Sequence, residues 1–297
     1  MTIRRLLWPV LIPAMLFAQG TSTGGSTLKL PQHSMAASLA DLCTVESGRL
    51  EAAGINPASL AGSVDATSIA FTHLSWIQNV SGQRLGLSFS TSIGRFSAST
   101  AISKVPGIEV RDAPGPFVAT FDAQAALFQA GWANSISDGI VLGVAASYLY
   151  EKLYVYESTG FSVDAGVLLK TPVDNLVVGL STVNLGALSA FREASVELPS
   201  IFRLAAGYRF AIGPIEFRPG AAFRTGINHE ASGLTVGGTL MFDNMLGFRA
   251  SWRSGESSRD VALGLTAGYL GIGLEYALVP FSSGLGTAQL LTVAMNF

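Results

Sequence analysis

The sequence predicts an all-β protein: an antiparallel transmembrane β-barrel of about 14 strands with a short, partly helical N-terminal plug. Three observations carry this. Apolar residues make up 49% of the chain and charged residues only 13%, whereas soluble globular domains carry roughly 25% charged residues. Beyond the opening stretch, no apolar run reaches the ~20 residues that a membrane helix needs. Bulky and small residues instead alternate with period 2 over most of the chain, with 33 glycines among them. That is the weak but repeated signature of barrel strands.

The chain divides into a signal peptide (1–18), a plug or hatch segment (19–66) and a barrel (67–297). Arg4 and Arg5 form a positive n-region, Leu6 to Phe17 an apolar h-region, and Ala18 a small residue for cleavage. Pro9 and Pro13 make that stretch a poor permanent membrane helix. Residues 19–66 are first polar and Gly/Ser-rich, then weakly helical. Cys43 is the single cysteine, so no intramolecular disulfide forms. With a net charge of −2 and no basic cluster, nucleic acid is excluded as a partner.

Alternation places strands near 67–76, 82–92, 95–103, 117–133, 138–151, 159–170, 174–184, 200–211, 213–225, 231–242, 245–254, 258–269, 270–279 and 286–297. In the last of these Leu291, Val293, Met295 and Phe297 share one face, while Thr292, Ala294 and Asn296 share the other. The bulky face suits lipid, and the Gly, Ala, Ser and Thr face suits a narrow polar interior. Outer-membrane barrels join strands by short periplasmic turns and longer outer loops. Starting residue 67 on the periplasmic side puts short turns near Ile93-Gly94, Ser135-Asp138, Pro172-Asp174, Ile212-Gly213, Asp243-Asn244 and Leu270. The opposite set includes the longer segments 104–116, 152–158 and 185–199. An even strand count then places both termini in the periplasm of a bacterial outer membrane. Tyr148, Tyr150, Tyr154 and Tyr156 surround one outer loop, and Tyr208, Trp252, Tyr269 and Tyr276 face outward as an aromatic girdle does. The terminal Phe297, on an amphipathic final strand, resembles the recognition signal for outer-membrane assembly.

Catalytic constellations are missing from the sequence. His33, His73 and His229 have no metal-motif spacing, and there is no nucleophile elbow. His73 and Ser75 share a strand face, yet nucleophile, base and orienting group cannot all be named, so the chain is not read as an enzyme. No cofactor and no metal are expected. The charges assigned to the barrel lumen are Arg203, Arg209, Arg218, Arg224, Arg249 and Arg253 with Glu216 and Glu275, joined by Asp122 and Asp164. They read either as an internal ion-pair network or as an arginine-lined site for a carboxylate. The bulky exceptions on the inward faces are Phe128, Leu149, Val177 and Val183.

Several stretches resemble the PorV/PorQ-like family within the wider FadL-like superfamily of outer-membrane barrels. They are "SMAASLADLCTVESGRLEAAGINPASLAG", "IAFTHLSWI", "GLSTVNLG", "LPSIFRLAAGYRF" and "GIGLEYALVPFSSGLGTAQLLTVAMNF". The resemblance implies a barrel of about fourteen strands with a plug. For PorV-like members it implies binding and shuttling of secreted cargo through C-terminal domains, with a type IX secretion translocon as partner. An outer rim of Phe117, Leu188, Phe191 and Phe281 would serve that role. For FadL-like members it implies passive uptake of long-chain fatty acids or other hydrophobic molecules. A purely stabilising barrel is the third reading. In each case outer-membrane lipid surrounds the wall. Asn56-Pro57-Ala58 is expected to dock the plug. Pro57 fixes the backbone, Asn56 bonds nearby backbone in a cap or Asx-turn, and Ala58 is small enough to pack on the wall.

Overall fold

Residues with a bulky side chain on one face and a small one on the other make a sheet that can close only one way round, bulky side outward. The computed structural model describes residues 23–111, 113–190, 196–227, 231–256 and 258–297. The stretch expected to be a signal peptide (1–18), Phe191 and His229 lie outside the described residues. The strands are β1 (Thr67–Ser75), β2 (Ser81–Thr91), β3 (Gly94–Val110), β4 (Ala119–Ser137), β5 (Ile140–Leu153), β6 (Tyr156–Lys170), β7 (Leu176–Leu188) and β8 (Val196–Glu197). They continue as β9 (Ile201–Tyr208), β10 (Phe210–Ile212), β11 (Ile215–Gly226), β12 (Gly233–Phe242), β13 (Leu246–Arg253), β14 (Val261–Tyr269), β15 (Ile272–Pro280) and β16 (Thr287–Asn296).

Every pairing is antiparallel, and β16 pairs back onto β1, so the sheet has no free edge. Two strands are short extras. β8 adds two residues to the edge of β7, and β10 continues β9 past a break at Arg209. The other fourteen form the closed wall. Phe71, Leu85, Val144, Phe161, Leu240, Phe248 and Leu291 are exposed on its outer face, as lipid contact requires. Ala70, Thr72, Ser88, Ser147, Ser181, Ala222, Thr239 and Thr292 are buried on the inner face. No helix among the described residues is long and apolar enough to cross a membrane, and the wall crosses with strands.

One mouth is closed by short turns and carries Thr67 and Phe297. Phe297 donates its N–H to Thr67 O (2.9 Å) and accepts from Ala66 N (2.8 Å). The other mouth carries the longer connections. Three of these are tighter than the sequence suggests. β3 runs on to Val110 past an irregularity between Val105 and Ile108, where Pro106 has no N–H to give the ladder. Segment 152–158 closes as a hairpin, with Leu153 paired to Tyr156 and Tyr154 in the left-handed region (φ 58°). Residues 185–188 and 196–197 are strand.

The plug fills the lumen. It enters at the long-loop mouth, where Gly24 N donates to Glu197 O (3.0 Å) and Ser26 donates through N and Oγ to Glu151 Oε1 (2.7 and 2.9 Å). Helix α1 (Ser34–Leu39) then packs on β13–β16. A 3₁₀ turn, Ala40–Val45, packs on β7, β9, β11 and β12, and a second, Pro57–Leu60, packs on β4–β6. The described chain therefore starts at the mouth opposite Phe297. Even parity puts Thr67 and Phe297 on one side, but the plug crosses the lumen in between.

Candidate functional site

The lumen charges gather around four carboxylates, two toward each end of the barrel. At the long-loop end, Arg203 on β9 and Arg224 on β11 are register partners and point inward at the same height. Both reach Asp41 of the plug. Arg203 Nε donates to Oδ1 at 2.7 Å, Arg224 Nε lies 3.7 Å from Oδ2, and Thr235 Oγ1 donates to Oδ2 at 3.0 Å. Burial raises the Asp41 carboxyl, and Arg203 and Arg224 more than offset it, holding it below its ordinary 3.8. Just above, Glu256 in the β13–β14 connection binds Arg224 Nη2 (2.9 Å) and Arg259 Nη2 (3.2 Å), with Arg253 Nη1 at 3.9 Å. Arg259 stacks on Trp76 with its guanidinium 5.5 Å from the ring centre, and Trp76 meets Phe281 edge-on at 5.4 Å.

These groups line a cavity of about 490 Å³ that opens at the long-loop mouth and ends on the plug. Arg84, Arg203, Arg224, Arg253 and Arg259 line it together with Leu28, Leu127, Val183 and Ile201. Arg84 is held by Ser99 Oγ (2.8 Å), Gln129 Oε1 (3.1 Å) and Gln32.

At the short-turn end, Glu275 on β15 takes hydrogen bonds from Arg249 Nη2 (2.9 Å) on β13 and Arg49 Nη2 (2.7 Å) of the plug. Glu216 on β11 takes Arg209 and Arg218. Arg218 also faces Glu46 of the plug at 3.7 Å. Arg209 and Arg218 are partly exposed at the mouth, beside a second cavity of about 430 Å³ that Arg218 lines.

Asn56, Pro57 and Ala58 sit at the plug's contact with β5 and β6. Asn56 caps the turn, its Oδ1 accepting from Ala58 N (3.0 Å). Its Nδ2 donates to Thr44 O (2.7 Å) and Val167 O (3.3 Å). The wall opposite is glycine. Gly143 and Gly166 are register partners on β5 and β6. A Cβ on Gly143 would overlap Pro57 C and Ala58 N, and one on Gly166 would overlap Asn56 Oδ1. One strand over, a Cβ on Gly179 would overlap Thr44 O.

On the opposite wall the plug bridges the barrel's closing seam. Thr72 on β1 and Thr292 on β16 are register partners with hydroxyls 2.8 Å apart. His33 Nδ1 lies 2.6 Å from Thr72 Oγ1, and Ser34 N donates to Thr292 Oγ1 at 3.0 Å. Burial, then Arg84, pushes the His33 imidazole well below 6.5, so it is neutral. Between that lower value and 6.5 the undocked plug binds more protons than the docked one. Docking is therefore expected to weaken as pH falls below 6.5, by at most about 1.4 kcal/mol per pH unit. Asp41 adds its loss only below its ordinary 3.8. Protease accessibility of the plug against pH, in the protein and in His33→Gln, reads this. An unchanged profile in the variant would exclude His33 as the source.

Some inward assignments need correction. Phe128 is 53% exposed on the outer face, because Leu127 beside it takes the inner position. Asp122 shares Phe128's phase and pairs on the outside with Lys104 Nζ (2.7 Å). Leu188, assigned to an outer rim, is buried against Leu28 and Val196. Val183 and Leu149 are buried inward as read. His73 and Ser75 are exposed on the outer face, 3.3 Å apart. Sequence reading missed Asp41 and Glu256. Asp41 was detectable as the one carboxylate in the otherwise uncharged stretch 34–45. No group of His, Cys, Asp and Glu able to hold a metal occurs among the described residues.

No protein-family model matches the sequence, and no curated protein matches it. Solved structures do. The fold is similar to the deltaS2S3 mutant of the TodX monoaromatic hydrocarbon channel, with a TM-score of 0.62, 9% identity, and 89% of this chain and 99% of that one covered. It is similar to the Pseudomonas putida toluene transporter TodX, with a TM-score of 0.61, 10% identity and 88% and 96% covered. It is also similar to the CymD monoaromatic hydrocarbon channel, with a TM-score of 0.56, 9% identity and 82% and 91% covered. The fold is a plugged, closed antiparallel barrel. At these identities the likeness establishes architecture only.

Proposed function

We propose that this barrel is a passive conduit in a bacterial outer membrane for small hydrophobic or amphipathic molecules, with the plug as the element that must shift. The observation that carries this is the 490 Å³ cavity, part apolar and part arginine, which opens at one mouth and ends on the plug. A volume in the range of small-molecule pockets suits a small ligand rather than a protein surface. The similarity to toluene and monoaromatic hydrocarbon channels supports the same reading. In it the long-loop mouth faces outward, the short-turn mouth with Phe297 faces the periplasm, and lipid covers the wall. Asn56-Pro57-Ala58 serves as the plug's fixed anchor, the charge groups hold its remainder, and Phe297 serves as the assembly signal.

Bacterial cells with a lipopolysaccharide outer leaflet, expressing the chain, are expected to take up radiolabelled toluene or 1-octanol several-fold faster than cells with an empty vector. Uptake equal to the control would overturn the proposal. Affinity capture from the native membrane addresses cargo shuttling: recovery of secreted proteins sharing a C-terminal domain, without uptake, would favour the PorV-like role.

A further inference from the structure

Turns that face water are usually polar, and a barrel's aromatic girdle marks where its apolar wall ends. The short-turn mouth departs from this. Among the described residues each of its six turns carries an exposed apolar side chain, at or beside the turn itself: Ile93, Ile136, Val173, Ile212, Met245 and Leu270. Val64, in the connection from plug to β1 at the same mouth, is 98% exposed. These side chains reach past the girdle. Trp132 donates its indole N–H to Ile93 O (3.0 Å), and Leu270 follows directly on the exposed Tyr269. They also continue the lipid-facing wall without a break: Ile212, Ile215, Phe242 and Leu246 are successive register partners across β10–β13, all exposed. Leu270 is disfavoured in water twice over. Its backbone is left-handed (φ 49°), which a bulky residue rarely adopts, and its side chain is 83% exposed. In the neighbouring turn the left-handed positions fall to Asp243 and Asn244 (φ 52° and 53°), which tolerate them. The other mouth differs, because its strand ends carry the exposed pairs Lys104–Asp122, Lys152–Glu157 and Arg111–Glu109.

We propose that the short-turn rim is seated in the membrane surface, its apolar tips lying among the glycerol and headgroup atoms of the phospholipid leaflet on that side. Tips placed around the whole mouth, continuous with the wall, fit a planar layer, whereas a protein partner would need one sector only. Asp138, Asp174 and Asp243 are exposed between the apolar tips, so the rim stops at headgroup depth and does not enter hydrocarbon. Apolar side chains are at home at that boundary. This seating stands whether or not the barrel is a conduit. It also fixes the surroundings of the 430 Å³ cavity, which Tyr269, Leu270 and Ile272 help to line: the cavity opens among headgroups rather than into bulk water.

The test places a nitrobenzoxadiazole dye on Val173→Cys, Ile212→Cys and Leu270→Cys, each in vesicles of phosphatidylethanolamine and phosphatidylglycerol. Leu240→Cys on the wall and Ser282→Cys at the long-loop mouth calibrate lipid and water. Cys43 is buried, and the unsubstituted protein gives the background label. Heat-modifiable gel mobility confirms folding of each variant, and three turn positions allow for one that fails. Dye at the turns is expected to be quenched by a doxyl lipid with its spin label near the headgroup about as strongly as at Leu240. Iodide, present on both sides of the vesicle, is expected to quench it several-fold less than at Ser282. Iodide quenching equal to that at Ser282 would put the turns in water and overturn the seating. Shielding that appears only when periplasmic extract is added would overturn it too, by giving the rim to a protein. Neither result changes the uptake expected of a conduit.

Discussion

Gly166→Ala is expected to unseat the plug while leaving the barrel folded. The added methyl would occupy the place of Asn56 Oδ1 and approach Pro57 Cδ at 3.1 Å. Gly166 lies in a ladder between β5 and β7, so its backbone cannot retreat far. Asn56 must leave instead, and its bonds to Thr44 O and Val167 O leave with it. Stranding the buried Thr44 carbonyl costs about 1–3 kcal/mol, while Val167 keeps its place in the ladder between β5 and β7. The expected readout is protease cleavage within residues 48–62 of a barrel that still shows heat-modifiable gel mobility, with higher conductance in planar bilayers. Gly139→Ala is the control, since its Cβ would meet only Lys170 O at 3.7 Å. A Gly166→Ala protein as protected as wild type would show that the glycine wall does not hold the plug.

Glu275→Gln is expected to cost the fold about 3–5 kcal/mol, the usual penalty for stripping a buried charge of its partner. Glu275 is 1% exposed and Arg249 3% exposed, so water cannot replace the lost carboxylate. Arg49, partly exposed, loses its wall contact at the same time. The measurement is the urea midpoint of the folded barrel. Combining Glu275→Gln with Arg249→Met should recover much of the loss, because it removes the stranded charge. Glu109→Gln, in the exposed pair with Arg111, should leave the midpoint unchanged. Equal midpoints for Glu275→Gln and Glu109→Gln would defeat the argument.

The wall was legible because its signal is local. Fourteen alternating stretches fall close to the fourteen wall strands, and the short turns are where alternation stops. Errors arose where the local signal is ambiguous. Leu127 and Phe128 are both bulky, so alternation cannot say which faces out, and choosing the wrong phase also turned Asp122 inward. The hairpin at Tyr154 carries no Gly or Asn to announce it, since a bulky residue with positive φ is rare. The plug's path was not legible at all. Its turns are three to six residues long, too short to show a period. Its partners are remote: Asp41 and Arg203 are separated by 162 positions, Arg49 and Glu275 by 226. Asn56-Pro57-Ala58 could be singled out because its backbone restrictions are local, but the glycines facing it are on other strands.

The His33–Thr72–Thr292–Ser34 cluster ties the order of assembly to the plug. The contact surfaces on β4–β7 are complete once the first half of the barrel exists, so the Pro57–Leu60 turn has a place to rest early. Helix α1 does not, because its surface belongs to the last four strands. When β16 reaches β1, one of the rungs that close the ring is the same one that receives His33 and Ser34. Zippering of the cylinder and seating of the helix then become one cooperative step, and a cylinder that closes around a misplaced segment lacks the two bonds that mark completion.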